Sequence, residues 1–279
     1  MKGLSLRNWE MPIIHGGTLS ISYGKNSLAC LGACEHLGWK INRIVHAELW
    51  ATESIPAELP PMIEFKAKVD KFIEARYGIK VEHLCARYKD GSKVTYEREF
   101  YRVITKGGRE GNIVGFPFQR GAWCNSKLKM RAINQCKARG IEFIGIATDE
   151  HKRLRRISGN LFSPLNEVGW EDDFCGLWCQ YSGLLSPCYD EGCRNGCWFC
   201  HNQRTEQLRL LRKNYPEYWE LLLKWDKDSP VSFKPDGKTV HDYEKRFQYE
   251  EEGMVPTDGK FRWDMLERPL QYSLWRFAV

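Results

Sequence analysis

Apolar and polar positions along the first 150 residues fall into short blocks that switch between two periods. Thr18 to Ser22 reads as a short strand. Asn26 to His36 carries Leu28, Ala29 and Leu31 at helical spacing. Ile41 to Leu49 reads as a second strand. From Met62 to Tyr77, Ile63, Phe65, Val69, Phe72 and Ile73 recur near a 3.6-residue period, which predicts an amphipathic helix. Val81 to Ala86 reads as a third strand. Asn125 to Arg139 is predicted helical, with Asn125 or Ser126 as N-cap and Gly140 as its stop. Ile141 to Ala147 reads as a further buried strand. Strands alternating with helices predict an α/β fold, a parallel sheet with helices on both faces.

The last third changes character. Trp170 to Tyr181 is predicted helical, and a Cys- and Gly-rich loop runs from Ser182 to His201. Thr205 to Trp225 forms a strong helical pattern interrupted near Pro216. The tail after Asp226 is rich in Pro, Gly, Asp and aromatic residues and reads as irregular structure. A boundary between Ser158 and Gly169 follows. It gives residues 1–165 as an α/β domain and 166–279 as a helical, Cys-rich extension.

Composition narrows the class. Of 279 residues, 42% are hydrophobic and 28% charged, values of a folded soluble chain and not of a disordered one. The net charge of +6 suits an anionic ligand without specifying it. No apolar run is long enough to span a bilayer, so no membrane association is expected. The start, Met1-Lys-Gly-Leu-Ser-Leu, has no long apolar stretch, so a cytoplasmic, reducing location is expected. There, eleven cysteines are better read as thiols or metal ligands than as disulfides. Eleven tryptophans predict a heavily aromatic core.

Chemistry concentrates first in Ser20-Ile-Ser-Tyr-Gly-Lys-Asn-Ser27, which leaves a strand and opens a helix. Gly24 lets backbone approach a ligand. The helix N-terminus offers unpaired N–H groups and partial positive charge to a phosphate. Lys25 adds a full charge, and Ser22 and Ser27 add hydroxyls. A Walker A loop is excluded, because Leu19 stands where that pattern needs Gly and Asn26 where it needs Ser or Thr. An ordinary polar strand–helix turn is the alternative.

The segment resembles S-G-G-K-D-S, the PP-loop of ATP pyrophosphatases and phosphoadenosine phosphosulfate (PAPS) reductases. Tyr23 replaces the first Gly, and Asn26 replaces Asp. Val45 to Glu53, which includes Glu48, follows the second strand, where the family places an acidic and hydroxyl cluster. Phe118 to Lys129 looks like the family's R-x-C-T-x-x-L-K, and Ile144 to Leu154 like its G-I-R-x-x-E-S-x-x-R. The blocks occur in family order over residues 18 to 160. The resemblance implies an adenine nucleotide alpha-hydrolase-like fold with ATP or PAPS at the strand ends. Ser22, Tyr23, Gly24, Lys25, Asn26 and Ser27 would contact the nucleotide, together with Glu48, Arg120, Lys129, Asp149 and Glu150. Lys25, Lys127 and Arg153 are the catalytic candidates. Asp149 and Glu150 are also candidates to hold magnesium.

Charge points to the same stretch independently. Gly111 to Ile141 contains no Asp or Glu, but carries Arg120, Lys127, Lys129, Arg131, Lys137 and Arg139. A solvated helix face is the plain reading of Lys137 and Arg139.

The second concentration is Cys188-x4-Cys193-x3-Cys197-x2-Cys200-His201. Two residues between Cys197 and Cys200 let both thiolates turn toward one ion, and Cys188 and Cys193 complete a set of four. Cys179 and His201 are reserves. Thiolates favour zinc or an iron–sulfur cluster. Buried thiols and a redox dithiol at Cys197 and Cys200 are the alternatives. Arg194-x-Gly-Cys-Trp-x-Cys200 looks like the C-terminal segment of PAPS-reductase-like proteins, including the sulfurtransferase of bacterial DNA phosphorothioation, where cysteines hold an iron–sulfur cluster. Glu206 stands where that pattern has a fourth Cys.

Assimilatory PAPS reductases carry a catalytic Cys in a C-terminal E-C-G-x-H-like motif, and no Cys follows Cys200 here. Cys124 or a cluster cysteine is the substitute available. The resemblance therefore implies sulfur transfer or reduction, or adenylation by an ATP pyrophosphatase, with a thiol donor or cysteine desulfurase as partner and nucleic acid as one acceptor. A catalytically silent nucleotide-sensing or nucleic-acid-binding module is the second expectation.

Overall fold

The computed structural model describes residues 16–117, 122–135, 140–189 and 195–267. The chain divides into two compact units, each built from three stretches. One comprises Met1–Ala47, Glu64–Leu84 and Cys136–Ser186, the other Glu48–Ile63, Cys85–Gln135 and Pro187–Val279. A single cut near residue 165 does not describe that division.

The first unit holds a five-stranded, all-parallel sheet in the order β3-β2-β1-β4-β5. Its strands are β1 (Gly17–Ile21), β2 (Ile41–Ala47), β3 (Val81–Leu84), β4 (Ile141–Ile144) and β5 (Leu161–Phe162). The α/β expectation therefore holds. β1 is central, with Leu19 level with Ile44 on one side and Phe143 on the other. Leu19, Ile44 and Phe143 have no exposed surface. Such a strand carries apolar residues because both its sheet faces are covered.

Helix α1 (Lys25–Leu37) follows β1 and is buried continuously from Ser27 to Cys34. A helix buried all round lies inside its unit and does not skirt its surface. Gly38, with φ of 66°, ends it, donating to the carbonyls of Cys34 and Glu35. Gly32 meets the Trp178 ring of helix Asp172–Tyr181, so the two helices approach where a side chain would not fit. Helix α2 (Pro60–Tyr77) buries Phe65, Val69 and Ile73, as its periodicity requires.

The second unit is aromatic at its centre. Tyr96, Phe100, Phe116, Trp198, Trp225 and Phe233 are buried, and Trp198 stacks on Trp225 at 5.6 Å. Each such ring removes a large apolar area from water. Helices Thr205–Asn214 and Pro216–Asp228 break at Pro216, as expected.

Two expectations need correction. The tail after Asp226 contains a 12-residue helix, Val240–Glu251. The Thr239 hydroxyl accepts from the Asp242 amide at 3.1 Å, and Asp242 accepts from the Thr239 amide at 2.9 Å. That reciprocal cap starts a helix whose apolar face is thin, with Val240, Tyr243 and Phe247 its buried apolar positions. The helix from Asn125 begins as a π-helix over Asn125–Met130 and becomes α-helical over Arg131–Gln135, and residues 136–139 lie outside the described set. No helix among the described residues is long and apolar enough to cross a membrane.

Candidate functional site

β1 delivers the chain into the Ser22–Ser27 loop at the C-terminal edge of the sheet. Connections run one way from β1 to β2 and β3, and the other way to β4 and β5. The loops after β1 and β4 therefore flank the point where strand order reverses, the usual ligand crevice of open α/β sheets.

Tyr23 adopts φ of 54°, the left-handed region that non-glycine residues avoid. Its ring is fully buried. Its hydroxyl donates to Asp70 Oδ1 and lies 3.3 Å from His83 Nε2, which is 2.8 Å from Asp70 Oδ2. The His46 ring meets it edge-on at 4.8 Å. These contacts hold a backbone shape that Gly takes without strain. The Tyr23 side chain therefore anchors the loop to Asp70 and His83.

Gly24 caps α1 without a side-chain bond, and the first turn has no acidic residue. The Ser27 hydroxyl is spent inside the loop, accepting from the Ser22 amide at 3.0 Å and donating to the Gly24 carbonyl at 2.9 Å. Ser22 is exposed, and Gly24, Lys25 and Asn26 are half-buried. Gly145, just past β4, sits so close that an added Cβ would lie 2.6 Å from Asn26 and Ser27 backbone atoms.

Three carboxylates frame the loop. Lys25 Nζ donates to Asp172 Oδ2 at 2.6 Å. Asn26 Nδ2 donates to Asp172 Oδ1 at 3.0 Å and approaches Glu150 Oε2 at 3.3 Å, while its own Oδ1 is buried without a partner among the described residues. Glu150 also accepts from the Ala147 amide at 3.1 Å and from Arg153 at 2.6 Å. Asp149 accepts from the Asp172 amide at 3.1 Å. Burial alone would raise the Asp172 carboxyl, but hydrogen bonds from Lys25 and Asn26 and the Lys25 charge outweigh it and hold it below its ordinary value. It is thus ionised at neutral pH.

The structure therefore brings Ser22, Gly24, Lys25, Asn26, Asp149, Glu150 and Arg153 together in the first unit. Asp172 is the member that sequence reasoning missed. Its one local signal was the acidic run Glu171-Asp172-Asp173 at a helix start.

Asn26 donates to two carboxylates, which an ionised Asp cannot do. Asn26→Asp is expected to destabilise the protein by about 1–3 kcal/mol at neutral pH. Like charge raises the new carboxyl's folded pKa above its unfolded value. The penalty is therefore full above that raised pKa and shrinks as pH falls through it. Melting curves of variant and parent from about pH 7.5 to about pH 4.5 check this, and a pH-independent difference would refute it.

Glu48, Lys127 and Lys129 belong to the second unit. Arg120 and Cys193 lie outside the described residues. Lys127 and Lys129 are exposed. In this unit a cavity of about 140 Å³ is lined by Cys124, Lys129, Cys197, Cys200 and His201, among others. The Cys200 amide donates to the Cys197 carbonyl at 3.1 Å, closing the knuckle. Gln203 braces it through the Trp198 carbonyl at 2.6 Å, and Lys234 Nζ donates to the His201 carbonyl at 2.8 Å. Burial, followed by the nearby Cys200, pushes the Cys124 thiol up to about 11. Cys197 and Cys200 are not in disulfides, whereas Cys188, expected as a metal ligand, is disulfide-bonded. Among the described residues no three His, Cys, Asp or Glu side chains are gathered closely enough to hold a metal ion.

Cys175 and Cys179 belong to the first unit, buried with Cys30 and Cys34. Burial raises all four thiols, with Cys34, Cys175 and Cys179 reaching about 12. Protonated and dry, they serve as small apolar side chains.

No protein-family model matches the chain, and no curated protein matches it.

Proposed function

We propose that the first unit binds an adenine nucleotide, ATP or PAPS, on the Ser22–Ser27 loop, and that the protein acts in sulfur transfer, sulfuryl reduction or adenylation. The observation that carries this reading is the position of the loop. An uncapped helix N-terminus, a lysine and a glycine-permitted close approach by β4 converge where strand order reverses. The first-turn amides of α1 and the Ser22 hydroxyl would donate to phosphate oxygens. Lys25 would exchange the Asp172 carboxylate for phosphate. Arg153 would follow from its pairing with Glu150.

With ATP, an acceptor oxygen or sulfur attacks the α-phosphorus. A bond to the acceptor forms, the α–β bridging P–O bond breaks, and pyrophosphate leaves. The chain contributes cations placed where negative charge builds, the main catalytic contribution available to it. With PAPS, a thiol attacks the sulfuryl sulfur and the adenosine bisphosphate leaves. The thiol would come from an external thiol donor or a cysteine desulfurase.

Cys197 and Cys200 have the donor chemistry for zinc or an iron–sulfur cluster, but among the described residues no third ligand stands close enough to complete a site with them. Lys234 and Gln203 brace the 197–201 turn without a metal. Asp149 and Glu150 are suited to magnesium beside the nucleotide.

A second reading, nucleotide binding without turnover, is favoured by Asn26, which ties down two carboxylates. Product analysis separates the readings. Incubation with ATP is expected to give AMP and pyrophosphate, or incubation with PAPS and a reductant to give sulfite. Saturable binding without either product would establish the sensing reading. Absence of binding would end both. Metal and sulfide analysis of the same anaerobic sample tests the thiol assignment.

A further inference from the structure

Residues 85–135 carry eleven Lys and Arg against four Asp and Glu. The rest of the chain is nearly neutral, with 31 against 32. The formal excess of +6 is thus housed in one stretch of the second unit.

Antiparallel bridges at Arg87–Lys93 and Val103–Ile113 fold that stretch back on itself. The Tyr88 amide donates to the Ser92 carbonyl at 2.9 Å and closes the first turn. Cations gather around this turn. The Arg98 guanidinium lies 4.1 Å from the Tyr88 ring centre, and that of Arg131 lies 5.0 Å from it. Arg131 also donates to the Arg87 carbonyl at 2.7 Å. The Lys93 ammonium lies 3.4 Å from the Trp50 ring centre.

The acids nearby are already engaged. Asp90 accepts from the Ser92 amide and hydroxyl at 3.0 and 2.6 Å. Glu99 is buried and accepts from the Tyr88 hydroxyl at 2.7 Å and from Arg102 at 3.0 Å. Arg87, Lys89, Lys93, Arg98 and Arg131 have no carboxylate partner among the described residues. Arginines elsewhere in the unit do. Arg209 and Arg246 share Glu250, and Arg212 takes Glu244 and Glu251.

Uncompensated like charges held side by side repel one another, and an anionic partner relieves that repulsion. Rings fix two guanidiniums and an ammonium in place, so little rotamer freedom remains to be lost on binding. Forked, planar guanidiniums match phosphate oxygens and also stack on bases. From this arrangement we infer that the surface around the 87–93 turn binds the phosphodiester backbone of a nucleic acid. The inference does not depend on the nucleotide reading of the first unit. If both hold, the macromolecule is a candidate acceptor.

The test is fluorescence anisotropy of the full chain with labelled strands of about 20 nucleotides, as single-stranded DNA, RNA and duplex DNA. Salt would be varied from about 50 to about 200 mM. Backbone contact predicts binding that weakens linearly in log affinity against log salt. The triple substitution Lys89→Gln, Lys93→Gln and Arg98→Gln is expected to make that slope shallower by about 2–3, near one per charge removed, and affinity roughly tenfold to hundredfold weaker. Lys40, Lys68 and Lys71 are exposed in the first unit. Their joint replacement by Gln removes the same charge and is expected to cost much less. Equal loss in both triples would reduce the effect to net charge and overturn the proposal. So would no binding at low salt, or tighter binding to phosphatidylserine vesicles than to every nucleic acid. Circular dichroism of both triples verifies that they fold.

Discussion

Replacing Lys25 with alanine is expected to weaken ATP or PAPS binding by roughly tenfold to hundredfold, about 1.4–2.7 kcal/mol. Charge-assisted bonds to phosphate are worth this much in a partly enclosed site. The same change should hardly alter stability. The Lys25–Asp172 pair is partly exposed, with side-chain accessibilities of 21% and 40%. Pairs of that kind contribute about 0–1 kcal/mol. The two readouts therefore separate a binding role from a structural one. Titration calorimetry with each nucleotide, beside a thermal melt, makes the comparison. Unchanged affinity would remove Lys25 from the site, and a large loss of melting temperature would make it structural.

Gly145→Ala is expected to damage both fold and site. The added Cβ would stand 2.6 Å from the carbonyl carbon and oxygen of Asn26 and the amide nitrogen of Ser27. These are backbone atoms in the first turn of α1 and cannot swing aside as a flexible side chain would. Overpacking of this kind costs about 1–3 kcal/mol, which lowers the melting temperature by about 2–4 °C per kcal/mol in a domain of this size. Relief requires α1 to shift away from β4, which moves the loop amides off any bound phosphate. Nucleotide affinity should fall with stability. Gly108→Ala is the control, because nothing lies within 4 Å of its added Cβ and its φ is not left-handed. It should change stability by less than about 0.5 kcal/mol. If Gly145→Ala behaved like Gly108→Ala, the close approach of β4 to the loop would be wrong.

Local signals explain what the sequence revealed. β1, α1 and the turn between them were legible because Leu19, Ile21, Leu28 and Leu31 announce strand and helix within twenty residues. The boundary after β4 was not. Ile146 and Ala147 are buried and apolar like strand residues, yet they lie in the turn beyond Ile144. Helix Val240–Glu251 was hidden by its sparse apolar face, although Thr239-x-x-Asp242 marked its start. Asp172 lies 147 residues from Lys25 and reaches it only through the packing of two helices. The left-handed backbone of Tyr23 likewise depends on Asp70 and His83, supplied by distant elements. The cysteines misled in a different way. Closeness in sequence suggested Cys188, Cys193, Cys197 and Cys200 as one ligand set with Cys179 in reserve, whereas Cys179 lies with Cys30, Cys34 and Cys175, Cys188 is disulfide-bonded, and Cys124 lines a cavity with Cys197 and Cys200. Spacing reports a knuckle such as Cys197-x-x-Cys200, and it says nothing of a thiol more than seventy residues upstream.

Amide hydrogen exchange of the full chain, with and without saturating ATP or PAPS, tests the loop assignment most directly. The donors in question are the backbone N–H groups themselves. Slower exchange at residues 24–28, accompanied by the turn at 145–150, is the predicted result. Exchange unaltered at 22–28, with protection confined to other parts of the chain, would contradict it.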